Sequence, residues 1–82
     1  MNVSLKYNDW IPANENHLPK IGEQVLITYK DKHIVEKQMI TAEYLGDNMW
    51  EFPNGFRTIS TTYISDYVPI SVLAWMELPR AY

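Results

Sequence analysis

The stretch Ile40-Thr41-Ala42-Glu43-Tyr44-Leu45-Gly46-Asp47-Asn48-Met49-Trp50-Glu51-Phe52 decides how this chain is read. Ile40, Ala42 and Tyr44 fall on one side of an extended chain and Thr41 and Glu43 on the other, the period of two that marks a strand with one inward face. Gly46-Asp47-Asn48 interrupts the alternation with turn-forming residues, and Trp50 and Phe52 resume it. Two alternating runs around a short turn are a β-hairpin.

Working outward, His33 to Leu45 reads as one long strand, or as two broken by a bulge near Lys37-Gln38. Upstream, Gln24 to Tyr29 forms a strand with Val25, Ile27 and Tyr29 on one face and Leu26 and Thr28 on the other, apolar enough for burial on both sides. Lys30-Asp31-Lys32 is a polar turn. Downstream, Pro53-Asn54-Gly55 is a second turn, because proline presets φ while Asn and Gly tolerate φ > 0. Phe56 to Ile64, rich in Thr and Ser, predicts a further strand, Ser65 to Ser71 a loop, and Val72 to Leu78 the last strand. Residues 8–22 read as an ordered covering loop, since Pro12 and Pro19 each remove an amide donor while Trp10, Ile11 and Leu18 supply apolar surface. No window carries an i, i+3, i+4, i+7 apolar stripe of good helix formers. The expectation is an all-β fold of five to six short strands with little or no helix, a small antiparallel barrel or a curled sheet. It forms one domain over residues 1–82, with the covering loop at 8–22 and the sheet core at 24–78.

Length and composition narrow the function classes. Eighty-two residues make one small domain, and a chain this short buries only about 60% of the surface its unfolded form exposes. With no cysteine, there is no disulfide framework, thiolate metal site or cysteine nucleophile. Seven basic and ten acidic side chains leave a net charge of −3, too mild for a nucleic-acid binder or an acidic mimic of DNA. The N-terminal residues lack the basic and apolar regions of a signal peptide, and no apolar run approaches the ~20 residues of a membrane helix. The expected location is a cytoplasm, without membrane contact.

No catalytic constellation stands out, and the expectation is a protein that is not an enzyme and uses no cofactor. His17 and His33 read as surface histidines with no carboxylate fixed beside them. Gly22, Gly46 and Gly55 are isolated turn residues rather than a phosphate loop, and no serine has a Gly-x-Ser-x-Gly setting. Lys30-Asp31-Lys32-His33 reads as a solvated turn. Glu43 and Glu51 face one another across the predicted hairpin near Asp47, which makes Glu43, Asp47 and Glu51 a candidate acidic surface, although charges flanking a turn are commonly just solvated. Of the eleven aromatic residues, Trp10, Trp50 and Trp75 are assigned to the core with Leu18 and Leu78 around them. Arg57, Tyr63, Asp66 and Tyr67 form the leading candidate binding surface: Tyr and Arg are the types enriched at binding hot spots, and on one strand Arg57, Thr61 and Tyr63 share a face.

Two motifs together carry a resemblance. The first is Trp10-Ile11, Leu18-Pro19, Gly22 and Val25-Leu26; the second is Ala74-Trp75-Met76-Glu77-Leu78-Pro79, with Tyr44, the Gly46-Asp47 turn and Trp50 between them. In order and spacing this resembles the small phage and prophage family called domain of unknown function 551, over roughly residues 9–80. The chain departs from the pattern at Pro12, where Ser or Thr is usual, at Glu77, where Pro is usual, and in a longer segment Phe56–Ser71. The family brings no reaction and no catalytic residues. The resemblance implies a bacteriophage accessory protein working in the cytoplasm of a bacterial host by stoichiometric binding to a host protein, with a host defence protein the natural target. The contrasting expectation is an oligomeric protein that sequesters a small molecule or nucleotide. A homodimer is expected in either case from the large apolar content of so small a chain.

Overall fold

A computed structural model describes residues 10–14 and 16–78. None of these residues is helical, so among them no helix is long and apolar enough to cross a membrane. The six strands are β1 (Ile11–Pro12), β2 (Gln24–Asp31), β3 (Ile34–Gly46), β4 (Met49–Glu51), β5 (Arg57–Ile59) and β6 (Ile70–Glu77). They form one antiparallel sheet in the order β1-β6-β2-β3-β4-β5. Of the two expected architectures, the sheet is the curled one and does not close into a barrel.

The alternation read from the sequence sets the register. Ile11 pairs with Trp75, Trp75 with Ile27 and Ile27 with Ile40, so one row of apolar side chains crosses four strands on the concave face. Val25 pairs with Ala42 and Tyr44 with Trp50 on the same face. These residues, with Phe52, Ile70 and Val72, make the core, and Ile11, Ala13, Leu18, Tyr29 and Ile40 pack against it. The hairpin between β3 and β4 turns on Asp47 (φ 52°) and Asn48 (φ 61°). Two successive positive φ values give the turn whose twist matches the flanking strands, and Asx residues tolerate it best after glycine. The Asn48 amide donates to the Tyr44 hydroxyl at 3.2 Å, tying the turn to the aromatic pair beneath it.

The curl has two visible causes. Thr28 pairs with Ala74 and Tyr29 with Val72, which leaves Leu73 as an extra residue on β6; such a bulge bends a strand and increases its twist. The two ends of the sheet are then stitched by Ser60. Its amide donates to the Asn48 carbonyl (2.8 Å), and its Oγ accepts the Val72 amide (2.7 Å). One side chain thus replaces the strand pairing that would have closed a barrel.

Several expectations are corrected. The predicted strand Phe56–Ile64 is paired only over Arg57–Ile59, because the chain leaves β4 at Ser60 to reach β6. The strand expected over residues 33–45 runs as Ile34–Gly46 without a break in the strand, and the bulge expected near Lys37-Gln38 falls where its register against β2 shifts, between the Tyr29–Gln38 and Asp31–Ile34 pairs. Leu26 and Thr28 are half-buried rather than sealed on the outer face. The covering loop contains the two-residue strand β1, at the sheet edge where proline is tolerated; residues 8, 9 and 15 of that loop lie outside the described residues. Trp50 and Trp75 are in the core and Leu18 packs on it, but Trp10 and Leu78 are half-buried. Ile11 takes the place opposite Trp75, and consecutive residues of an extended segment face opposite sides, so Trp10 is turned away. Leu78 follows Glu77, the last paired residue of β6. The covering loop is held instead by the Trp75 indole, whose Nε1–H donates to the His17 carbonyl at 2.9 Å.

Candidate functional site

On the convex face the register builds a polar row. Gln24 pairs with Glu43, Glu43 with Glu51 and Glu51 with Arg57, across β2 to β5. The Arg57 Nε–H donates to Glu51 Oε1 at 3.1 Å. Like charges directly opposite on a sheet repel, and Arg57 offsets this for the Glu43–Glu51 pair from one side. Both partners of the ion pair are solvent-accessible, so it is worth about 0–1 kcal/mol. Glu43 and Glu51 also border a groove of about 360 Å³ together with Thr41, Phe52, Pro53 and Gly55. Asp47 does not join them. It occupies the exposed tip of the hairpin, beyond the paired residues, so the acidic candidate separates into a pair on the convex face and a turn residue. Among the described residues no group of three His, Asp or Glu side chains is placed to hold a metal ion.

The leading candidate set is divided too. Arg57 and Tyr67 border one groove of about 430 Å³, with Met49, Phe56, Ile59 and Val68. Tyr63 and Asp66 do not border it. Because β5 ends at Ile59, residues 57, 61 and 63 do not share a strand face. Tyr63 stands out from the following loop, where its carbonyl accepts the Thr61 hydroxyl at 2.6 Å. Asp66 forms an ion pair with Lys32 of the turn between β2 and β3, and the Lys32 amide donates to the Pro69 carbonyl at 2.8 Å. Asp66 therefore fastens the long loop to the neighbouring turn. The predicted solvated turn is in part an anchor.

Phe56 was not legible as a site residue, nor were Met49 and Ile59. An aromatic chain positions Phe56. Tyr29 packs edge-on to Phe52 (centroids 5.1 Å apart, planes at 64°), and Phe52 packs edge-on to Phe56 (5.7 Å, 82°). The chain leads from the core to the groove rim, where Phe56 and Ile59 are each 46% exposed and Tyr67 is 95% exposed. The Pro53-Asn54-Gly55 turn sets the geometry: the Phe52 amide donates to the Phe56 carbonyl (2.7 Å), and the Phe56 amide donates to Asn54 Oδ1 (3.0 Å). The turn signal was visible in the sequence, but that it swings the next aromatic outward was not. Burial, with the Asp31 carboxylate adding to it, raises the Tyr29 hydroxyl above its ordinary pKa of 10.0, so this end of the chain stays protonated at neutral pH.

His17 and His33 are exposed, as expected. The His17 ring nitrogen Nδ1 lies 3.1 Å from Asn14 Oδ1, and the His33 amide donates to Asp31 Oδ1 at 2.8 Å. Both contacts are local turn contacts. A third groove, of about 420 Å³, is polar and runs between Asn14, Asn48, Ser60, Thr61 and Thr62.

No family model matches this chain, and no curated protein or solved structure matches it. What the groove does is therefore argued from its residues.

Proposed function

We propose that this chain is a non-enzymatic binding protein whose partner is another protein, docking on the groove bordered by Met49, Phe56, Arg57, Ile59 and Tyr67. The observation that carries this reading is the rim: an almost fully exposed tyrosine, a half-exposed phenylalanine and isoleucine, and an arginine gathered around one concavity. Tyrosine offers large contact area at little entropic cost, and the guanidinium offers five donors in a plane. The sequence resemblance to a phage family makes a bacterial host protein, such as a defence protein, the partner class to screen. Sequestration of a nucleotide has less support: among the described residues no cation borders the groove at Glu43 and Glu51 or the polar groove at Asn14 and Ser60, and phosphate groups call for one.

The test replaces Tyr67 with a photo-crosslinking residue, identifies the captured partner, and measures binding of the purified pair by calorimetry. The double substitution Arg57→Ala with Tyr67→Ala should weaken binding by at least about 2 kcal/mol while leaving the melting curve in place. Binding that survives this pair in a folded protein makes the groove scaffold, and the Glu43–Glu51 surface then becomes the candidate.

A further inference from the structure

β3 is thirteen residues long, but β4 pairs with it only at Glu43, Tyr44 and Gly46. The other side of β3 is taken by β2 along its length. Among the described residues, the side of β3 that faces away from β2 has no strand beside it from Ile34 to Ala42. Backbone groups of successive strand residues point to alternate sides. The Tyr44 amide and carbonyl both turn toward β2, bonding Glu23 and Gly22 at 3.0 and 2.7 Å. By that alternation Met39 directs its N–H and C=O groups to the open side; Gln38 and Ile34 pair with β2 on either side of the register shift, so Lys37 and Val35, each next to one of these paired residues, are turned the same way. The side chains of these residues are open as well: Val35 is 99% exposed, Met39 63%, and Lys37 is exposed. Among the described residues, a row of backbone donors and acceptors with no strand opposite it coincides with two exposed apolar side chains and a central cation.

We infer that this edge of β3 binds an extended segment of another protein by adding it as an antiparallel strand, and that the segment carries an acidic residue between two apolar ones. The charge pattern selects the occupant. In an antiparallel pair, opposed residues share a face. A second copy of this chain, in the register that sets Val35 against Met39, puts Lys37 against Lys37, and like charges directly opposite destabilise the pair. An apolar-x-acidic-x-apolar strand instead sets apolar residues against Val35 and Met39 and a carboxylate against Lys37. Lysine on a sheet edge is a usual guard against indiscriminate pairing; here it also chooses the partner's charge. Main-chain bonds supply affinity in strand addition, and alternate side chains supply the selectivity. This surface is separate from the Arg57–Tyr67 groove, and the two stand or fall independently.

The experiment uses the full chain, isotope-labelled, and two synthetic decapeptides of alternating threonine. One has valine, glutamate and valine at its three central outward positions; the other has lysine in place of glutamate. The glutamate peptide should bind at least tenfold more tightly and should slow hydrogen exchange at the amides of Val35, Lys37 and Met39. Lys37→Glu, a change at an exposed position, should reverse the preference. Methylating the peptide nitrogens that face β3 should abolish binding of the preferred peptide. The inference is overturned if neither peptide slows exchange at these amides at millimolar concentration, or if Lys37→Glu leaves the preference unchanged. It is also overturned if the three amides are already protected in the free protein and light scattering gives a dimer, because a second copy then fills the edge.

Discussion

The two halves of β3 belong to one strand and behave as two structures. Toward its C-terminal end, Ala42, Tyr44 and Gly46 are buried in alternation, β4 covers the far side from Glu43 on, and Tyr44 packs on Trp50 with ring centroids 4.8 Å apart. From Ile34 to Met39 every residue but Gln38 is exposed, and among the described residues β2 is the only neighbouring strand. Both halves pair with β2, so pairing alone does not bury a strand. What separates them is whether a second layer of side chains lies over the concave face. Trp50, Phe52 and Trp75 provide that layer at one end, while the other end has only the turn at Lys32 and the loop it anchors. Stability should therefore concentrate in one half of the strand, and the other half should tolerate change.

The largest effect tests the covered half. Trp50→Ala removes a side chain that is 1% exposed and should cost about 3–5 kcal/mol, as should Trp75→Ala; against a total near 5 kcal/mol for a small domain, either variant is expected to lose its cooperative melt. Next is the stitch that holds the curl over that half. Ser60→Ala leaves the amide of buried Val72 without its partner, and a loss of about 1–3 kcal/mol in chemical denaturation is expected.

Tyr29 stands opposite Gln38, where the two halves meet. Its raised pKa means that the folded state holds the phenolic proton more tightly than the unfolded state. The associated stability is complete below the ordinary value of 10.0 and is lost as pH rises from there through the higher folded value. Denaturation midpoints measured across alkaline pH should fall in that window, and less steeply in Tyr29→Phe. At the hairpin tip, Asn48→Gly relieves a positive φ and should raise stability by under about 1 kcal/mol. The smallest effect is expected in the open half: Val35→Thr and Met39→Thr should each shift stability by no more than about 0.5 kcal/mol. A loss above 1 kcal/mol for either would mean that the open half is covered in solution.

The covered half is also the half that could be read in advance. Ile40, Ala42, Tyr44, Trp50 and Phe52 alternate cleanly because one face meets water and the other meets a core. Ile34 to Met39 gave only a suspected break near Lys37-Gln38, since a strand exposed on both faces has no burial pattern to betray its register. The short β5 was overread for a related reason. Residues 57–64 are β-branched and hydroxyl-rich, which local preference alone reads as strand, yet Ser60 is recruited by Val72 from across the sheet. No local pattern encodes a hydrogen bond to a distant strand. Among the site residues, Arg57 and Tyr67 could be proposed from their types, whereas Phe56 owes its place to a stack that begins at Tyr29.

The pairing of β2 with β6 has a consequence for the order in which the chain folds. The β2–β3, β3–β4 and β4–β5 pairs join neighbours in sequence and can form as local hairpins, but Ile27 finds Trp75 only after the long loop has been closed. Closing that loop costs chain entropy before any contact rewards it. Until β6 arrives, Val25 and Ile27 keep one edge open and half of their apolar cover missing. During synthesis β2 cannot be sealed on that side until β6 has emerged, so docking of β6 is expected to be the slow step of folding and to set how long the apolar face of β2 stays open to aggregation.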